Sequence, residues 1–357
     1  ALAVSTVNGS GVVAYNSGTL NITGSDNVVV ANNGNALDYK NTTVDTTFLN
    51  VTSNTSTEEG IYVEGGTGTL TVTDTATVNN STLNGIEIVT SDVDVDITTV
   101  SVDTTGGDGI LLDTNTGTYN SASVTVANTT GDGIIAIDND AAIDMDVVSI
   151  DTTTGNGLVL ETNTVNGTYN AITVDIANTT LAGMVVDTNA GTVDVDTLTI
   201  EETLNQGLYI TSTTGDVTVA NTNVYNSAAG FAAVEIGETT AAVDLGVVDI
   251  STIAAEATGL DVYNTATLTI ADGTIATADA TAIDMFNTTI AGGVNLTSVS
   301  SDLADGEGII LEQVDGDAVT IATATVTNAG TDGIAIIDSA SNVDITSFFF
   351  FNDTATT

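Results

Sequence analysis

Apolar residues along this chain recur in pairs separated by one position, and each pair follows a glycine. The pattern reads Gly85-Ile-Glu-Ile88, Gly109-Ile-Leu-Leu112, Gly133-Ile-Ile-Ala136, Gly157-Leu-Val-Leu160, Gly183-Met-Val-Val186 and Gly207-Leu-Tyr-Ile210. With that glycine, or an alanine in its place, as the origin of a coil, the series runs Gly11, Ala36, Gly60, Gly85, Gly109, Gly133, Gly157, Gly183, Gly207, Ala233, Gly259, Ala282, Gly308 and Gly333. The mean step is about 25 residues, the length of one supersecondary unit stacked on its neighbours. Between origins the pattern alternates with period two. After Gly85, Val93, Val95 and Ile97 are predicted to point inward and Asp92, Asp94 and Asp96 outward. Val100 and Val102 continue the inward set on a further strand, and Thr104 to Asp108 close the coil as a turn. Thr, Val, Asn and Asp dominate and Pro is absent, a vocabulary of strands and turns rather than helices.

Three short strands per coil, each stacked on its counterpart in the next, predict an all-β fold. The expected architecture is a single-stranded right-handed parallel β-helix of about 14 coils of roughly 24–26 residues, each coil adding about 4.8 Å. The run Gly-Ile-x-Ile, then Val-x-Val or Val-x-Ile, then Asn and Gly in the turn, resembles the right-handed parallel β-helix repeat of pectate-lyase-like proteins and surface adhesins. The resemblance covers about residues 8 to 347 and implies the fold; that scaffold serves enzymes, adhesins and stalks alike. The expected division is a β-helix over residues 1–347 and an aberrant tail over 348–357. The tail, Phe348-Phe-Phe-Phe-Asn-Asp-Thr-Ala-Thr-Thr357, resembles a translated sequencing adaptor found at the ends of metagenomic reading frames. On that reading the chain is a fragment whose natural sequence continues further, and the segment is given no function.

Charge narrows the partners. There are 47 acidic residues against one base, Lys40, with no His, for a net charge of −46. Binding nucleic acid by neutralising phosphates is excluded on this ground, as is an electrostatic bond to anionic lipid. Cations, neutral host or cell-surface glycans and further copies of the chain remain as partners. Spread over roughly 65–70 Å of stacked coils, the charge approaches the linear density of duplex DNA, about one per 1.7 Å. A cation-dependent fold is therefore expected. Aromatic residues are only 4% of the chain, which suits a narrow bore of stacked Val, Ile, Leu and Ala. There is no Cys, hence no disulfide frame or thiol chemistry, and no apolar run long enough to insert into a membrane. An extracellular or cell-surface location is expected.

A second period lies over the first. Thr118-Tyr119-Asn120 recurs fifty residues later as Thr168-Tyr169-Asn170, and Asp144 and Asp146 recur as Asp194 and Asp196. Eleven residues after each origin stand Asp96, Asn120, Asp144, Thr168, Asp194, Thr218 and Asp244, acidic alternating with neutral. Carboxylates one coil apart would repel by about 1 kcal/mol even in water; skipping a coil places them about one Debye length apart.

The candidate chemistry follows from these acids. Asp92, Asp94, Asp96 and Asp103 imitate the spacing of an EF-hand loop, but Ile97 stands where the turn glycine belongs and alternating valines mark a strand. The residues before the coil origins, Glu59, Asn84, Asp108, Asp132, Asn156, Gln206, Glu307 and Asp332, are predicted to stack as a mixed amide and carboxylate ladder. Weak binding of calcium or another hard cation is expected at Asp92, Asp94, Asp96, Asp108, Asp132, Asp144, Asp146, Asp194 and Asp196, since oxygen-only ligands suit hard ions. No cofactor is required. His and Cys are lacking for a triad or thiol site, and the Arg base used by the lyase relatives is absent, so no catalytic residue is assigned. A carboxylate pair such as Asp138 and Asp140 is what a glycosidase would need. The threonine runs Thr129–Thr130, Thr152–Thr154 and Thr179–Thr180 fall in predicted turns rather than on a flat face. The expected function is a structural or adhesive rod segment of a larger secreted or surface protein. The alternatives are a polysaccharide-binding or polysaccharide-cleaving module and an ice-binding solenoid.

Overall fold

A computed structural model describes residues 1–225, 227, 229–253, 257–302 and 306–351. The chain is an all-β parallel solenoid of about 14 turns, 64% strand, with no helix among the described residues. It divides into two compact units, Ala1–Thr179 with Ala190–Thr192, and Thr180–Asn189 with Val193–Thr357.

In the first unit a typical coil is a four-residue strand followed by a long one. The short strands Ile86–Val89, Ile110–Asp113, Ile134–Ile137 and Leu158–Glu161 run parallel, with Ile86, Ile110, Ile134 and Leu158 in one register. The long strands Asp92–Thr105, Tyr119–Thr129, Ile143–Thr153 and Tyr169–Thr179 stack likewise. Each long strand is the second and third predicted strands run together. Pairing skips the exposed Thr98 and Ala122, which mark the corner between them. The alternation is as predicted: Val93, Val95, Ile97, Val100 and Val102 are buried, and Asp92, Asp94 and Asp96 are exposed.

In the second unit the three strands separate visibly. Val234–Gly237, Ala242–Asp244 and Val247–Thr252 pair in parallel with Leu260–Tyr263, Thr267–Ile270 and Asp272–Ala278. In the following coil they fuse into Ile283–Asp302. Val343–Phe351 pairs with Val319–Thr327 through to Phe351, and Phe348 to Phe351 are 43–57% exposed. The remainder of the tail, residues 352–357, lies outside the described residues.

The core is a set of aliphatic columns. Val100, Val124, Val148 and Val174 form one, and Val102, Val126, Ile150 and Ile176 the next. Each buried side chain contributes about 1.5–3 kcal/mol relative to exposure, and each coil adds the same interface to the next. The origin glycines serve this packing by lacking a side chain. A Cβ on Gly109 would lie 2.2 Å from Val126 Cγ1 and 2.5 Å from the carbonyl oxygen of Gly133. The glycine thus lets the start of a coil lie directly against the branched side chain of its third strand.

Five residues after each origin the backbone enters the left-handed region, with φ between 46° and 56° in all fourteen coils. In the first unit these residues are Asn16, Asn41, Gly65, Thr90, Thr114, Asp138 and Thr162; in the second they are Thr188, Ser212, Glu238, Asn264, Asn287, Gln313 and Asp338. This single residue turns the chain out of the first strand, and polar side chains there face solvent or the neighbouring turn.

Candidate functional site

The polar groups of the solenoid lie in columns, and their chemistry is set by what stands one coil away. At the corner before the origins, Asn84 Oδ1 accepts from the Asp108 amide at 2.7 Å and Asp108 Oδ1 from the Asp132 amide at 2.8 Å. Asp132 Oδ1 in turn accepts from the Asn156 amide. Burial pushes the carboxyls of Asp108 and Asp132 above the usual range, and these amide donors pull the other way.

The second-strand face carries the exposed acids. Asp92 accepts from the Thr116 hydroxyl, and Asp94 Oδ1 accepts from both the amide and the hydroxyl of Thr118, each at 2.9 Å. Asp96 stands in register with Asn120, Asn120 with Asp144, and Asp144 with Asn170. Asn170, rather than Thr168, therefore takes the neutral place beside Asp144, and its Nδ2 donates to Asp144 Oδ1 at 2.5 Å. The shift of two arises in the longer turn of that coil, closed by the Gly167 amide on the Thr164 carbonyl at 2.9 Å. In the second unit Asp194 faces Thr218, which faces Asp244. Third-strand acids follow the same rule: Asp103 accepts from Asn128 and Asp151 from Asn178, both at 2.7 Å. At Asp92, Asp94, Asp103, Asp144 and Asp151 the neutral residue of the next coil thus supplies a donor as well as separating the acids.

The nine residues expected to hold cations are dispersed. Asp92, Asp94 and Asp96 share one strand face at alternate positions, about 6.6–6.8 Å apart along the backbone. Asp108 and Asp132 occupy the ladder before the origins, and Asp144 and Asp194 sit in the second-strand column. Asp146 and Asp196 fall at the corner where strand pairing skips a residue. Among the described residues no three acidic side chains converge in an arrangement that could hold a metal ion. An acidic stack without spacers lies elsewhere, in the second unit. Glu235, Asp261 and Asp284 occupy one register on three successive strands, with no neutral residue between them. Gln206 Nε2 and the Tyr263 hydroxyl donate to Glu235 at 2.7 and 3.1 Å. Burial, then the neighbouring Asp284 and Glu235, push the Asp261 carboxyl up to about 6. Asp284 is raised by burial and by Glu307 and Glu312.

Two arrangements escaped the sequence reading. Six residues after the origins, Asn115, Asn139 and Asn163 form a buried amide ladder. Asn115 Nδ2 donates to the Ile88 carbonyl at 2.8 Å and to Asn139 Oδ1 at 3.1 Å; Asn139 Nδ2 donates to Leu112 O at 2.9 Å and Asn163 Oδ1 at 3.0 Å. In the second unit Thr213, Thr239 and Thr265 hold this position, and the Thr239 hydroxyl donates to the Thr213 carbonyl at 2.7 Å. The other arrangement surrounds Lys40, whose ammonium lies 4.6 Å from the Tyr62 ring centroid and 5.3 Å from that of Tyr15. Beside it Asp38 is only 3% exposed and accepts from the Tyr15 hydroxyl. The lone base thus sits between two aromatic faces next to a buried carboxylate, where attraction to the rings adds to its solvation.

No protein-family model matches this chain, and no curated protein or solved structure matches it either.

Proposed function

We propose that this chain is a structural or adhesive rod segment of a larger secreted or cell-surface protein, acidic and stabilised by dissolved cations. The observation that supports this reading is the use made of the outward acids. Asp94, Asp103, Asp144 and Asp151 are each hydrogen-bonded to a neutral residue of the next coil. Charge-assisted bonds of this kind tie successive coils together and resist their separation. A surface built to hold its own repeat presents a regular face to other copies or to neutral surface glycans, with hard cations such as calcium screening the repulsion between coils. A glycan array combined with a polysaccharide release assay on the full chain tests the reading. Retention without release of sugar is the adhesive outcome, and neither retention nor release is the structural one. Release of sugar from any polysaccharide would replace it with the polysaccharide-cleaving alternative.

One observation favours ice binding as a second reading. Thr75, Thr99 and Ser123 form one outward column on the third strands, and Thr77, Ser101, Thr125 and Ser149 the next. These hydroxyls lie on an outward strand face, whereas the threonine runs expected in turns begin inside the long strands, which end at Thr129, Thr153 and Thr179 with those three residues buried. Thermal hysteresis measured on the full chain tests this directly.

A further inference from the structure

We propose that the bore of the first unit binds one ordered water molecule beside Tyr119. The phenol is an anomaly in its column. It stacks in register between Val95 and Ile143, so a hydroxyl enters where the neighbouring coils present only hydrocarbon. Tyr119 is 3% exposed, and its hydroxyl is buried without a protein partner. A buried hydroxyl left unbonded is costly, which is why such groups find a partner in protein or in internal water. The same choice recurs fifty residues on, where the hydroxyl of Tyr169 is buried in the same way.

The space for the water is present. Tyr119 lines a cavity with room of about 10 Å³ for a water-sized sphere, together with Ile88, Leu112, Asn115, Asn139 and Ile143. That is close to the smallest volume that holds one water, provided at least two polar groups receive it. The second group follows from the bonds of the amide ladder. Both Nδ2 hydrogens of Asn115 and of Asn139 are committed, and Asn139 Oδ1 already accepts from the amide and the Nδ2 of Asn115. Asn115 Oδ1 accepts only from the Ser91 amide at 3.1 Å, which leaves it one lone pair. A water that donates to Asn115 Oδ1 and bonds to Tyr119 Oη satisfies both groups. It links the bore to the buried ladder.

Crystal structures of the full chain and of Tyr119→Phe at high resolution test this, with thermal melts of both. The expected result is a single ordered water within hydrogen-bond distance of Tyr119 Oη and Asn115 Oδ1, lost in the phenylalanine variant, whose melting temperature does not exceed that of the parent. A dry cavity, a phenol bonded directly to a backbone carbonyl, or a Tyr119→Phe variant that melts higher would overturn it. The last outcome would mean that the substitution had merely deleted an unsatisfied hydroxyl. Phenylalanine keeps the ring that packs against Val95 and Ile143, so the variant is expected to fold.

Discussion

At the scale of single residues, the solenoid depends on two positions with opposite demands. The turn residue five places after each origin takes φ near 50°, where β-branched side chains are strained. Thr90, Thr114, Thr162 and Thr188 nevertheless occupy it, while Asn16, Asn41 and Asn264 hold it with a side chain suited to that conformation. Replacing Thr90 by Asn is therefore expected to raise stability by about 0.5–1 kcal/mol, read from the midpoint of chemical denaturation. The origin position needs the absence of a side chain instead. Gly109→Ala would press a methyl onto Val126 and is expected to cost about 1–3 kcal/mol by the same measurement. The coil should survive, because Ala36, Ala233 and Ala282 occupy equivalent origins. The origin was legible in the sequence because its residue type repeats. The turn position was not, since Asn, Thr, Asp, Ser, Glu and Gln all serve there and only the backbone torsion unites them.

At the scale of elements, strands are held in register by ladders at their corners. Asn139→Ala would remove the acceptor of the Asn115 amide and the donor to the Leu112 carbonyl, leaving buried polar groups unsatisfied. A loss of about 2–3 kcal/mol is expected. Asn139→Thr should cost distinctly less, because Thr239 and Thr265 hold the same position with a hydroxyl bonded to the preceding coil. Equal losses in the two variants would show that the amide ladder itself, and not merely a bonded polar group, sets the corner. The strands and their inward faces were readable because period-two alternation is local. The buried ladder was hidden by composition: Asn and Thr are also ordinary solvent-facing turn residues, and burial of their side chains appears only when coils stack.

At the scale of the molecule, charge governs the response to solution conditions. With a net charge of −46, melting in millimolar salt with a chelator is expected to fall well below melting in concentrated salt with calcium. Matching curves would remove cations from the account. The pH response has an unusual sign in the second unit. Asp261, facing Glu235, Asp284 and Tyr263, with Tyr209 beyond Glu235 and Glu307 and Glu312 next to Asp284, is pushed up to about 6 from 3.8. Its folded form therefore holds a proton that the unfolded chain releases. The penalty for ionising it is full above about pH 6 and is relieved as pH falls toward about 4. Glu87, Asp108, Asp132 and Asp284 are raised in the same direction. Asp140 and Asp272, held low by hydroxyl donors with amide help, oppose them at more acidic pH. Mild acidification should accordingly raise the melting temperature. Asp261→Asn should be more stable than the parent at pH 8 by about 1–2 kcal/mol after solvent screening, with the difference shrinking toward pH 4.

The apolar beat alone determined the coil, its strands and the residues of the bore, because each depends on neighbours a few positions apart. It also foresaw a mixed ladder before the origins, which forms from Asn84 to Asn156. What the tertiary structure decided was the pairing between coils. Two further residues in one turn moved the partner of Asp144 from Thr168 to Asn170. Stacking also buried Asn115, Asn139 and Asn163 and brought Glu235, Asp261 and Asp284 into one column. These contacts join residues more than twenty positions apart, so they depend on the summed lengths of all the turns between them. Local pattern constrains each turn only loosely, and an error of one residue moves every side chain of the following strand to the opposite face.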